Sequence, residues 1–173
     1  LADFVDDEME IMDVRQDLVD NYDSAGWKLI YVLLEPENGQ DKITADEDLL
    51  TELRGLHKDL ESNHDVVGTD DTFPSPSYEG PYVILRDAIL RDSNFGIAHN
   101  LEVFQDGGVY VKDYDLPCNL SAAFLSLSTN NSVADALTNE TWSQRIANSV
   151  HLNNGNVVNL RNEIRVEAAT SAE

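Results

Sequence analysis

The stretch that most constrains the fold is "VVNLRNEIRVEAAT", residues 157–170. Val158, Leu160, Ile164, Val166 and Ala168 alternate with Asn159, Arg161, Glu163, Arg165 and Glu167. A strand turns successive side chains to opposite faces, so this alternation describes a long strand with one buried face and one wet face. A sheet of that kind carries its helices on one side. The expectation is therefore an α+β, two-layer sandwich and not a doubly wound sheet.

The other elements read around that strand. "WKLIYVLLE", residues 27–35, is β-branched and aromatic and stands between Gly26 and Pro36, which predicts a core strand buried on both faces. Leu49, Leu53, Leu56 and Leu60 form the stripe of a helix, with Thr44 and Glu47 at capping-box spacing before it. Asn63 and His64 break that helix, and residues 65–69 read as a short strand. Strand, helix and strand make a βαβ unit with parallel strands. Upstream, Ile11, Val14, Leu18 and Tyr22 share the face of a helix over residues 7–22.

"TDDTFPSPSYEGP", residues 69–81, is the clearest boundary. Pro81 suits the first turn of a helix with Leu85, Ala88 and Ile89 inward, closed by Gly96. "NLEVF" and "VYVKDY" around "QDGG" predict a β-hairpin. Two short helices are expected at 120–127 and 140–150, and "HLNNGN" reads as a turn. The organisation expected is one domain over 1–173. Residues 1–72 plus 156–171 form its α/β core, and 73–155 form a helical and hairpin insertion subdomain.

Charge narrows the function. There are 33 Asp and Glu against 11 Lys and Arg, a formal charge of −22. The acids are spread over the chain, from Asp6–Glu10 through Asp46–Asp48 and Asp113–Asp115 to Glu163 and Glu167. Such a surface repels itself at low ionic strength. In molar salt the Debye length falls to roughly 3 Å and the repulsion is screened, which points to a halophilic source. Nucleic acid is not a fitting partner, since nothing here would neutralise a run of phosphates. No apolar run is long enough to cross a bilayer. The chain starts at Leu1 and stops in "EAATSAE" as a fragment cut from a larger protein would.

Motifs for chemistry are sparse. Nucleophile-elbow, P-loop, zincin and dinucleotide-binding patterns are all missing from the sequence. His57, His64, His99 and His151 lack ligand spacing and read as surface or turn histidines. Asp113-Tyr114-Asp115 has two hard oxygen donors but neither the glycine nor the distal Glu of a calcium loop. Cys118 is alone and reads as a small apolar residue. No catalytic, cofactor or metal residue is therefore expected. Asn119-Leu-Ser121, Asn130-Asn-Ser132 and Asn139-Glu-Thr141 are N-x-[ST] sequons, hence candidate N-glycosylation sites. Asn119 and Asn139 also stand where helices are expected to begin, so each is equally a candidate N-cap.

The order of elements resembles an exporter family. "ADFVDDEMEIMDVRQDLVDNY", with Asp3-Phe4-Val5-Asp6-Asp7-Glu8 as an acidic lead-in to a helix, is similar to the segment after the first membrane helix in exporters of the RND superfamily, MMPL type. "WKLIYVLLE", "DLLTELRGLHKDLESN" and "DVVGT" follow in the order of that family, and "LRNEIRVEAATS" resembles its next long strand. The resemblance covers residues 1–70 and 157–171. It implies half of a ferredoxin-like porter subdomain outside the membrane, with 73–155 inserted. It further implies a non-enzymatic part of a proton-driven exporter of lipids or other hydrophobic compounds. The partners would be the rest of the same transporter, and a homo-oligomer is compatible with an open sheet edge. The location would be the cell membrane, extracellular side. Two other readings fit composition alone: a secreted or surface-anchored binding module, and a soluble cytoplasmic enzyme or regulatory domain of a salt-accumulating cell.

Overall fold

A computed structural model describes residues 27–36, 40–43, 46–62, 78–136 and 138–167. In chain order the elements are β1 (Trp27–Leu34), α1 (Asp46–Ser62), β2 (Tyr78–Glu79), α2 (Pro81–Arg91), α3 (Ser93–Ala98), β3 (Leu101–Val103), β4 (Val109–Val111), α4 (Leu120–Ser128), α5 (Trp142–Ser149), β5 (Val150–Asn153) and β6 (Asn156–Glu167). The fold is α+β with small antiparallel sheets. The expected helix at 7–22, Thr44 of the expected capping box and the expected strand at 65–69 lie outside the described residues.

The alternating stretch forms the centre of the sheet. Along one edge β6 pairs with β1, from Trp27 opposite Glu167 to Leu34 opposite Leu160. Along the other edge it pairs with β2, Tyr78 opposite Ile164, and with β5, Val150 opposite Leu160. All three pairings are antiparallel. β1 and β2 therefore run parallel to each other with β6 between them, and α1 lies between them in sequence.

Three expectations about the strands need correction. β1 is not buried on both faces: Ile30, Tyr31 and Leu33 are 47%, 50% and 59% exposed. Among the described residues it pairs only with β6, so it is an edge strand. The expected turn at 151–156 is shorter than its sequence suggests. Asn154 and Gly155 take φ of 50° and 77°, the double left-handed turn of a two-residue hairpin, and His151–Asn153 belong to β5. Finally, pairing passes from His151–Asn159 to Leu152–Val157, leaving Val158 as a bulge. One extra residue reverses which face follows, so Val157 and Leu160 are both buried while Val158 is only half-buried.

The helices form for local reasons. Asp46, Glu47 and Asp48 occupy the first turn of α1, where the dipole favours acid, and Leu49, Leu50, Leu53, His57 and Leu60 are buried. Pro81 opens α2, whose Tyr82 to Leu85, Ala88 and Ile89 are all buried, as befits a helix wrapped by others. Gly96 does not close this helix. Asp92 does, and its side chain then caps α3 by accepting from Asn94 N–H at 2.9 Å. Gly96 sits inside α3 because a Cβ there would meet Leu101 O at 2.7 Å. The expected helices at 120–127 and 140–150 are α4 and α5. Asn119 caps α4, but Thr141 and not Asn139 caps α5, in a capping box with Gln144. The hairpin around "QDGG" is β3–β4.

One hydrophobic core joins Leu50 and Leu53 of α1 with Tyr82 and Leu85 of α2, Val109 of β4, Phe124 of α4, Ile146 of α5 and Leu160 of β6. A smaller cluster holds Leu60, Tyr78, Val83 and Ile164. Residues 49–53 and 82–150 thus share the same interior.

Candidate functional site

A cleft of about 360 Å³ lined by charged side chains lies where β2, β6, α2, α5 and the 134–140 loop meet. Its organising group is Arg145, on the first turns of α5, with only 11% of its side chain exposed. Nε and Nη2 of Arg145 donate to Glu79 Oε1 at 3.0 and 2.8 Å, and Nη2 also reaches Asp87 Oδ2 at 3.1 Å. Its guanidinium lies 5.6 Å from the Trp142 ring centroid, and that of Arg91 lies 5.8 Å away. Arg161 and Glu163, alternate residues of β6, complete the floor.

Burial pushes the Glu79 carboxyl above its ordinary pKa, against the pull of Arg145. Arg145 itself is raised: its two carboxylates outweigh its own desolvation. The Glu79 carboxylate is short of solvent even beside its cation. Arg145 therefore ties β2, α2 and α5 together. In the same cleft the Thr138 hydroxyl donates to Glu140 Oε2 at 3.5 Å.

The second polar centre lies between α1 and α2. His57 is 5% exposed, which corrects the expectation of a surface or turn residue. It occupies the inward stripe of α1 one residue after Leu56, where only its neighbours' side chains decide its burial. Its ring stacks at 4.9 Å from Tyr82 and 5.7 Å from Tyr78. Nε2 lies 2.9 Å from Arg86 Nη1 and 2.9 Å from Glu61 Oε1. A neutral Nε2 accepts from the guanidinium, whereas a protonated one donates to the carboxylate, so only one of these hydrogen bonds forms at a time. Burial holds the imidazole below its ordinary pKa. Nδ1 is buried without a partner.

Asn162 adjoins this centre. It is fully buried between Leu160 and Ile164 on β6, with Nδ2 unpaired, and its Oδ1 accepts from Tyr78 Oη at 3.0 Å. Neither His57 nor Asn162 stands out in the sequence as a site residue, since each occupies a slot in a pattern that suits an apolar residue.

The residues singled out by sequence are scattered. Asp113 and Asp115 lie in an exposed turn in which Asp113 Oδ1 accepts from Asp115 N–H at 3.0 Å. No cluster of three metal-ligating side chains occurs among the described residues. Cys118 is 2% exposed, with its thiol pushed up to about 11 by burial. His99 is half-buried against Phe95, His151 is exposed on β5, and His64 lies outside the described residues. Asn119, Asn130 and Asn139 are all exposed. No helix among the described residues is long and apolar enough to cross a membrane.

Comparison with known proteins returned nothing. No family model matches the chain, no curated protein matches it, and no solved structure matches it. The functional reading therefore rests on the order of elements and on the sites described above.

Proposed function

We propose that this chain is an extracytoplasmic domain of an RND-type, MMPL-like membrane exporter of a halophile. It acts without catalysis, as part of a substrate path or a subunit contact in proton-driven export of lipids or other hydrophobic compounds. The observation that carries the reading is the placement of β6 between the parallel strands β1 and β2, with α1 between those two in sequence. We take this arrangement as the first half of a ferredoxin-like, two-layer unit, with β2 at Tyr78–Glu79 in the place of the strand that the family resemblance puts at 65–69, outside the described residues. On that reading the insertion, put at 73–155 by the resemblance, begins after β2 and caps the unit.

Two further features agree with the reading. The exposed apolar residues of β1, Ile30, Tyr31 and Leu33, suit contact with more polypeptide, either the rest of the transporter or a second copy. The polar centres of Arg145 and His57 bind elements of the fold to one another, which agrees with a structural role.

The test is labelling from outside the cell. Tyr114 is 77% exposed, while Cys118 is buried. A Tyr114→Cys variant of the full-length protein, in intact cells of the source organism, is expected to react with a membrane-impermeant maleimide at position 114, in addition to any labelling of the parent protein. Labelling at position 114 only after the cells are broken would sink the proposal.

A further inference from the structure

The three sequons share a composition but differ in structure. In the first, Asn119 is the N-cap of α4: its Oδ1 accepts from Ala122 N–H at 2.9 Å, and Ser121 lies in the first helical turn. In the third, Thr141 is the N-cap of α5. Its hydroxyl is engaged with Ser143 and Gln144, its backbone forms a bridge with Val133, and Asn139 is held at φ 63°. Both of these sequons are part of helix starts, with their third residue only half-exposed.

The middle sequon is different. Asn130, Asn131 and Ser132 are all exposed, in the loop that leaves α4. The Ser132 hydroxyl donates to Asn130 Oδ1 at 2.7 Å, and Ser132 N–H donates to the same oxygen at 2.9 Å. The hydroxyl that defines the sequon is thus bonded to the amide it belongs with. Of these side chains only Asn131 reaches beyond the loop, its Oδ1 accepting from the Ser143 hydroxyl at 2.9 Å; those of Asn130 and Ser132 bond only each other and the Ser132 N–H. The loop's carbonyls dock α5, Asn130 O accepting from Ser143 N–H at 2.9 Å and Ser132 O from Trp142 N–H at 3.2 Å. A bulky, hydrated glycan at Asn130 would displace no buried group.

We propose that Asn130, alone of the three sequons, is an N-glycosylation site that takes an oligosaccharide from a phosphate-activated donor. This rests on the extracytoplasmic location proposed above. In the transfer, Asn130 Nδ2 forms a bond to the anomeric carbon of the sugar. The bond from that carbon to the donor's phosphate oxygen breaks, and the phosphate leaves with the electron pair. One Nδ2 proton passes to a base of the transferring enzyme. Two polarised acceptor contacts on Oδ1 favour the amide that must give up that proton, and neither is made by a helix backbone that has to stay intact.

The test uses full-length protein purified from the source organism. Cleavage after Lys112 and Arg145 releases one peptide that carries all three sequons. Electron-transfer fragmentation then locates any added mass. The expected result is a glycan on Asn130 with Asn119 and Asn139 bare, and its loss in Ser132→Ala, which keeps the acceptor Asn. Occupancy is read on unmutated protein, so the folding of a variant does not decide the outcome. A glycan on Asn119 or Asn139 with Asn130 bare overturns the inference and leaves the location standing. Three bare sequons in a protein that protease cleaves on intact cells also overturn the inference alone. Three bare sequons in a protein that protease reaches only after lysis overturn both.

Discussion

Replacing Arg145 with Met probes the largest electrostatic commitment in the described fold. Met keeps the stem packed but removes the cation from between Glu79 and Asp87, whose side chains are 30% and 31% exposed. Breaking a fully buried pair costs about 3–5 kcal/mol, because the partner's charge is stranded. Here solvent reaches nearly a third of each carboxylate and recovers part of that, so a loss of about 2–3 kcal/mol is expected. For a domain of this size that lowers Tm by roughly 4–12 °C. The pH dependence has a definite sign. Burial already raises Glu79 above its ordinary pKa, and losing Arg145 raises it further. A carboxyl whose folded pKa lies above its unfolded one favours the folded state at low pH and loses that advantage as pH rises through the folded value. The deficit of Arg145→Met should therefore be larger at pH 7.5 than at pH 4.5. Adding Glu79→Gln should restore more than half of it. The assay is urea unfolding in constant molar salt, followed by Trp fluorescence, since Trp142 lies beside Arg145. A loss under about 0.5 kcal/mol, typical of a surface pair, or a deficit that grows on acidification, would refute the reasoning.

Gly80→Ala should destabilise by about 1–3 kcal/mol, since a Cβ there overlaps Asn162 Oδ1 and comes within 3.0 Å of Tyr78 Oη. Combining it with Asn162→Ala should cost less than the sum of the two in urea unfolding, and strict additivity would count against the clash. His57 makes stability pH-dependent: its folded pKa lies below the ordinary 6.5, so stability is full above 6.5 and is lost as pH falls toward the folded value. His57→Phe should flatten the stability profile between pH 7 and 5, whereas profiles of equal slope would remove His57 as the cause. Cys118, with its thiol at about 11, should stay silent to an aromatic disulfide reagent at pH 8 in the native protein and react fully once unfolded. Rapid native labelling would show that the residue is not buried.

What the sequence discloses follows the strength of each pattern. The alternation in residues 157–167 leads to β6, the leucine stripe to α1, and Pro81 to the start of α2, because each is a local rule repeated over several residues. The misses occur where one residue or a distant partner decides. A single bulge at Val158 reverses the burial of Val157, and no local signal marks it. "WKLIYVLLE" is apolar enough for a central strand, yet its place at the sheet edge depends on which strands β6 gathers. His57 and Asn162 are polar residues in apolar slots: Arg86 and Tyr78 reach them from other elements, while Glu61 stands one turn on from His57 in the same helix. The Arg145 lock joins residues 58 and 66 positions apart, beyond the reach of any spacing rule.

The exporter reading faces its most direct test in the source organism. Cells in native salt would be separated into membrane and soluble fractions, with and without protease added to intact cells, and probed with an antibody to this chain. The expected result is a membrane band much larger than 19.3 kDa that protease clips on intact cells. A soluble band near that size, untouched by protease until the cells are broken, would contradict the account.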